Sequence, residues 1–347
     1  MVLQLLRYSL KLCIVVIERS KVLGSRILIN YECLSKTKSH KKIEVSKMDK
    51  QQLWVLDGGM GRELARRGAP FRQPEWSALA LIEAPQTVTE VHQAYVASGA
   101  KVITTNSYAL VPFHIGDERF AAEGEALAAL AGKLARDVAD EHANAVRVAG
   151  SLPPLFGSYR ADLFEAARVS ELALPLIRAL SPSVDLWLAE TMSLIAEPLA
   201  IKALLPEDGK PFWVSFTLED ETLGSEPTLR SGERVADAID ALVAVGVDAI
   251  LFNCCQPEVI EAALQVASDR LSALGRADIR LGAYANAFPP QPKEATANDG
   301  LDEIRADLGP LDYLGWAERW RAAGASLIGG CCGIGPEHIQ ALSTRLR

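Results

Sequence analysis

What this 347-residue chain lacks narrows its chemistry first. No apolar run approaches the ~20 residues that a bilayer-spanning helix needs. Positive charge is not in excess: 36 Lys and Arg stand against 44 Asp and Glu, a net of −8, which makes a nucleic-acid backbone a poor partner. Histidine is scarce, five in all with no ligand-like pair, so a histidine-ligated zinc hydrolase with a general base at the metal is disfavoured. The six cysteines are not spaced as a disulfide framework. Four of them form two adjacent pairs, Cys254-Cys255 and Cys331-Cys332. In a large α/β chain such pairs read as reduced thiols of a cytosolic protein, available as soft metal ligands.

A local absence marks a boundary. Before Met48 there is neither alanine nor proline, and ten Lys/Arg face three Asp/Glu, a net of +7. The remainder carries 26 against 41, a net of −15, and is alanine-rich throughout. Residues 1–47 are therefore expected to be an extension outside the fold, with residues 48–347 as the working domain. A targeting peptide fits less well, because there is no small-residue cleavage site and Glu18 and Glu32 interrupt the segment.

After Met48, short apolar runs alternate with longer Ala/Leu/Glu/Arg-rich stretches, the pattern of βα units around a parallel sheet. Strands are expected at 53–57, 101–105, 147–151, 185–191, 212–217, 249–253, 280–285 and 326–329. Intervening helices include 118–144, 165–180, 232–245 and 257–274. Gly99, Gly246 and Gly324 each follow a helix and precede a strand, where glycine supplies a left-handed cap. Eight units predict a (β/α)8 TIM barrel, with a doubly wound open sheet as the alternative. The proline-rich stretch from Phe288 predicts a long loop to about Pro310, carrying a short helix at 301–307.

In such a barrel the active residues belong at the C-terminal ends of the strands. There stand Asp57 with Gly58, Thr105, Glu190, Asn253 with Cys254 and Cys255, and Cys331 with Cys332. One thiolate after strand six and two after strand eight would make three legs of a tetrahedron with the fourth position open, the catalytic type of zinc site. Strand alternation allows only one of Cys254 and Cys255 to face the barrel mouth. Asp57 and Glu190 can each cap a following helix or recognise a substrate amine. The glycines at 58, 59 and 61 do not complete a dinucleotide fingerprint.

These segments resemble the homocysteine S-methyltransferase family over about 53–346. The likeness is carried by LDGGMGREL (56–64), TTNSY, GSLPP, AET, FNCCQPE (252–258) and GGCCGIGPEHI (329–339). The resemblance implies Zn2+ held by Cys254, Cys331 and Cys332, the Asn-Cys pair selecting Cys254 over Cys255. It implies substrate contacts at Asp57, Glu190 and the backbone of Gly58, with Asn253 and Thr105 serving either substrate or strand-end packing. His338 falls to the last helix and not to the metal. No betaine-type C-terminal arm and no cobalamin or folate module is evident. A sulfonium donor, S-methylmethionine or S-adenosylmethionine, is therefore expected to methylate homocysteine, its cation facing Trp76, Tyr108, Phe156 and Tyr159. Betaine as donor, another thiol or a selenol as acceptor, and a non-catalytic zinc or redox-sensing thiol protein are the rivals.

Overall fold

The computed structural model describes residues 52–346 except 144, 222–223, 225, 293–294 and 297–302. The chain divides into two units, 1–47 and 48–347, and only the second contains described residues, so the expected extension lies outside them. Eight strands follow in order: β1 (Trp54–Val55), β2 (Val102–Thr104), β3 (Arg147–Leu152), β4 (Leu186–Met192), β5 (Phe212–Phe216), β6 (Ala249–Asn253), β7 (Arg280–Tyr284) and β8 (Ala325–Ile328). Every strand pairing is parallel, and the sheet runs β1-β8-β7-β6-β5-β4-β3-β2. A parallel bridge between Leu56 and Val102, reinforced by Asp57 N–H to Val102 O at 3.0 Å, joins its two edges and closes the barrel.

The expected (β/α)8 barrel is therefore the observed fold. The first strand, Trp54–Val55, is shorter than expected, although Leu56 N–H still donates to Ile328 O of β8 at 2.8 Å while bridging Val102 on its other side. Around the sheet run α1 (Met60–Arg66), α2 (Ser77–Glu83), α3 (Pro85–Ala97), α4 (Pro112–Ile115), α5 (Asp117–Asp140) and α6 (Val169–Leu180). They continue as α7 (Ala196–Lys202), α8 (Val235–Val245), α9 (Pro257–Ala273), α10 (Pro310–Ala322) and α11 (Pro336–Arg345). Gly99, Gly246 and Gly324 all have positive φ, as the helix-ending signal requires. No helix among the described residues is long and apolar enough to cross a membrane.

Strand parity sorts the core into two layers. Leu56, Val102, Ala149, Leu186, Leu188, Trp213, Ala249, Leu251 and Leu327 fill the barrel interior. Their alternates, such as Trp187, Ile250 and Phe252, pack outward with the helices. The helix expected at 301–307 is not formed at 303–307. Arg305 instead ties this stretch down, bonding Glu258 Oε1 at 2.7 Å at the start of α9 and Asp307 Oδ2 at 2.7 Å. Residues 301–302 lie outside the described chain.

Candidate metal and substrate site

The interior parity, followed upward, ends in polar residues. Ser151, Glu190, Ser215 and Asn253 continue the series that begins with Ala149, Leu188, Trp213 and Leu251. Above this layer the loops enclose a cavity of about 180 Å³, bordered by Asp57, Gly58, Thr105, Glu190 and the three cysteines 254, 331 and 332.

The Sγ atoms of Cys254, Cys331 and Cys332 lie within 4.8 Å of one another, and none is in a disulfide. Cys254 and Cys331 sulfurs are 2.8 Å apart, Cys331 and Cys332 4.0 Å. Cys332 is held well below the ordinary thiol range, first by the hydrogen bonds of Cys254 and Cys331 and then by the Arg62 guanidinium. Cys331 is pushed up by its hydrogen bonds with Cys254 and Cys332. Three convergent soft donors, one already disposed to ionise, fit a thiophilic divalent ion such as zinc. Cys255 turns the other way, fully buried in the outer core, where burial pushes its thiol up.

The route by which Cys254 reaches the cavity differs from simple alternation. Ala249 and Leu251 face the interior, so the unbroken pattern would send Cys255, not Cys254, toward the axis. Cys254 has φ of 53°, a left-handed conformation uncommon for a side-chain-bearing residue. Its carbonyl accepts from Thr217 Oγ1 at 3.2 Å and Tyr159 OH at 3.3 Å, which hold that peptide in place. One residue of left-handed turn exchanges the faces of the two cysteines.

The turn after β8 rests on the glycine turn after β1. A Cβ on Gly58 would stand 2.3 Å from Ile334 O, and one on Gly59 2.5 Å from Cys331 O. Gly59 N–H donates to Ile334 O at 3.0 Å and Gly330 N–H to Asp57 O at 3.0 Å. These glycines serve backbone contact between the two turns, and no phosphate-binding function is needed to explain them.

Two carboxylates border the same cavity. Asp57 accepts from Thr104 N–H at 2.7 Å and Thr104 Oγ1 at 3.1 Å. Glu190 accepts from Ser151 Oγ and from Tyr284 OH, the latter at 3.4 Å. Burial raises each carboxyl to about 7, and Glu190 adds to the effect on Asp57. Among the described residues neither has a cationic partner, so an arriving ammonium would find both uncompensated.

The remaining expected residues divide. Thr105 borders the cavity, its Oγ1 2.8 Å from Ser107 Oγ and accepting from Ser151 N–H at 3.0 Å. Asn253 does not: its amide accepts from Thr191 N–H and Ser215 Oγ and donates to Thr191 Oγ1. Those bonds brace the strand ends, Thr191 itself being left-handed at φ 60°. His338 stays with α11, accepting Gly335 N–H at Nδ1, with Nε2 3.0 Å from Leu308 O. Of the aromatics, Trp76, Tyr108 and Tyr159 line the cavity, whereas Phe156 packs edge-on against Phe164 with centroids 5.7 Å apart. Phe71, Tyr284 and Phe288 line it too and were not foreseen. Tyr284 was legible, since interior parity along β7 leads to it; Phe71 and Phe288 lie in loops where no periodicity operates.

The chain is similar to known proteins over nearly all of its second unit. The homocysteine S-methyltransferase family profile matches residues 54–346. Homocysteine S-methyltransferase of Escherichia coli (strain K12) is 32% identical over 86% of this chain and 96% of its own. The selenocysteine methyltransferase of Astragalus bisulcatus is 27% identical, covering 83% and 90%. The crystal structure of the Escherichia coli homocysteine methyltransferase MmuM in its metallated form superposes with a TM-score of 0.67 at 32% identity, covering 86% of this chain and 97% of that one. With the family profile spanning nearly all of the second unit, the chain belongs to the homocysteine S-methyltransferase family.

Proposed function

We propose that this protein transfers a methyl group from a sulfonium donor, S-methylmethionine or S-adenosylmethionine, to the thiolate of L-homocysteine, giving methionine. The observation that carries the proposal is one cavity holding three convergent thiols beside two buried carboxylates that have no cationic partner among the described residues. Cys254, Cys331 and Cys332 would hold Zn2+, whose charge lowers the pKa of a coordinated thiol and so supplies a thiolate nucleophile at neutral pH. Asp57 and Glu190 would receive the substrate ammonium, with the backbone around Gly58 facing its α-carboxylate and Thr105 completing the wall. Asn253 acts behind them as a brace.

The chemistry is a single displacement. The substrate sulfur loses its proton to solvent, its lone pair forms the new S–CH3 bond, and the donor's S–CH3 bond breaks to release a neutral thioether. The chain's part is to align the two sulfurs and keep water out. Phe71, Trp76, Tyr108 and Tyr159 offer aromatic faces and edges to a cationic donor. A selenol acceptor is the second reading, favoured by the similarity to selenocysteine methyltransferases. The test is a donor-by-acceptor screen on metal-loaded protein, with products followed by mass spectrometry. Methionine from homocysteine and either sulfonium supports the proposal. Metal-loaded protein that makes methionine only from betaine, or methylates only a selenol, would overturn it.

A further inference from the structure

Behind the aromatic wall lies an ion pair that the chemistry above does not use. Arg230 Nη1 stands 3.2 Å from Asp220 Oδ1, with side chains 2% and 0% exposed. Taking both charges out of water is costly, and an apolar pair of similar volume is often equally stable. The value of this pair therefore lies in what else its atoms hold.

Those atoms join three loops. Asp220 Oδ1 accepts from Gln291 N–H at 3.1 Å and Oδ2 from Gln256 N–H at 3.1 Å. Arg230 donates from Nη1 to Gln291 O at 3.3 Å and from Nη2 to Pro292 O. Its guanidinium also lies over the Tyr159 ring, 5.0 Å from the centroid. Gln291 and Tyr159 border the cavity, and Gln256 is two residues beyond Cys254, whose carbonyl Tyr159 also bonds. Neither Asp220 nor Arg230 borders the cavity itself.

We infer that Asp220 and Arg230 are a positioning pair. They fix the described start of the loop after β7, residues 286–292, and the Tyr159 ring against the turn that carries Cys254, and so set how closely these residues cover the cavity when both substrates are bound. The planar fork of arginine is what spans a carboxylate and two carbonyls at once, a task lysine cannot reproduce. The kinetic part of this inference rests on the proposed methyl transfer; the structural part does not.

The test uses the full metal-loaded chain and four variants: Arg230→Met, Arg230→Lys, Asp220→Asn, and the double Arg230→Met/Asp220→Asn. Hydrogen exchange is read for peptides covering 255–258 and 286–292, with the barrel strands as the internal reference. Exchange in both segments should rise at least tenfold in Arg230→Met and Asp220→Asn while the strands stay unchanged. Per metal-loaded chain, kcat/KM should fall at least tenfold, chiefly through KM for the donor, with Arg230→Lys intermediate. The double variant restores charge balance but not the bonds, so it should stay as impaired as Arg230→Met. Recovery of wild-type exchange and rates in the double variant would reduce the pair to charge balance and overturn the inference. So would single variants that lower only the melting temperature. If the wild-type chain forms no methionine, the proposed reaction fails by itself, and the exchange measurement still decides the role of the pair.

Discussion

At the N-terminal end of the barrel, Trp54 and Trp213 close the interior with ring centroids 6.5 Å apart, and the Arg280 guanidinium lies 5.0 Å from the Trp54 ring. Among the described residues that buried cation has no carboxylate beside it, but it donates to Ser326 Oγ, Ser326 O and Gln52 O, leaving only Nη1 unmet. Burial lowers its pKa only to about 10, so it stays charged at neutral pH. At the C-terminal end the titratable groups clustered on the cavity are acidic: three thiols, of which Cys331 and Cys332 are partly exposed, and the buried carboxyls of Asp57 and Glu190. Their hydrogen bonds do not compensate their burial, and both carboxyls rise to about 7. One end is satisfied mostly within the chain. The other keeps groups with no complement among the described residues, the usual signature of a functional site.

That contrast breaks most completely at the thiols. Cys254→Ala, Cys331→Ala or Cys332→Ala should each lose most of the bound metal and at least about a thousandfold in methyl transfer, since the thiolate is no longer generated at neutral pH. Cys255→Ala, one residue away, should keep both and lose about 1 kcal/mol of stability. Metal per chain by elemental analysis, together with methionine formation, checks all four variants. A Cys255 variant that loses metal while the Cys254 variant keeps it would contradict the left-handed turn.

The carboxylates give the next largest effect. Asp57→Asn and Glu190→Gln should each weaken homocysteine binding by about 10- to 100-fold, the loss of a charge-assisted hydrogen bond. Metal content should be unchanged, and the ligand-free protein should be no less stable, because an uncompensated buried acid has been removed. Titration calorimetry and thermal melts test the two halves together. Equal affinity in both variants would return these residues to strand-end structure.

The pH profile sharpens the same point. Both carboxyls are raised, from 3.8 and 4.5 to about 7, so the folded protein binds more protons than the unfolded chain across that interval. Stability of the ligand-free protein should therefore be highest at the acid side of the window and decline as pH rises from about 4 to about 7. Glu197, also raised to about 7 by burial, adds to the decline. Homocysteine binding should move oppositely, strengthening through pH 7 as the two acids ionise, and the amide variants should flatten that rise. A binding profile unchanged by both substitutions would show that other groups govern it.

The smallest effect belongs to the N-terminal end. Trp54→Phe should cost about 1 kcal/mol or less of stability while leaving kcat and KM at wild-type values, since the substitution trims packing far from the cavity. Altered kinetics there, at unchanged metal content, would mean that the two ends are not independent.

The βα rhythm, the glycines that end helices and the clustering of Asp57, Thr105, Glu190 and the cysteines at strand ends were all legible in the sequence. Strand periodicity and turn chemistry are local properties, so local patterns report them. The loops escaped that logic. Phe156 and Phe71 look alike in the sequence, yet one packs on Phe164 and the other borders the cavity. Asn253, adjacent to a thiol in the cavity, spends its amide on Thr191 and Ser215.

By itself the sequence determined that eight strands would carry thiols and carboxylates to one rim, because which residues end each strand is written in order along the chain. Which of two adjacent cysteines faces that rim, where strand alternation left the choice open and only the family resemblance favoured Cys254, was decided physically by the tertiary structure. Parity counted along β6 favours Cys255 for the interior, and the left-handed φ of Cys254 reverses it. That conformation persists because Thr217 and Tyr159, from two other strands' loops, bond the Cys254 carbonyl, and such long-range bonds leave no local pattern to read.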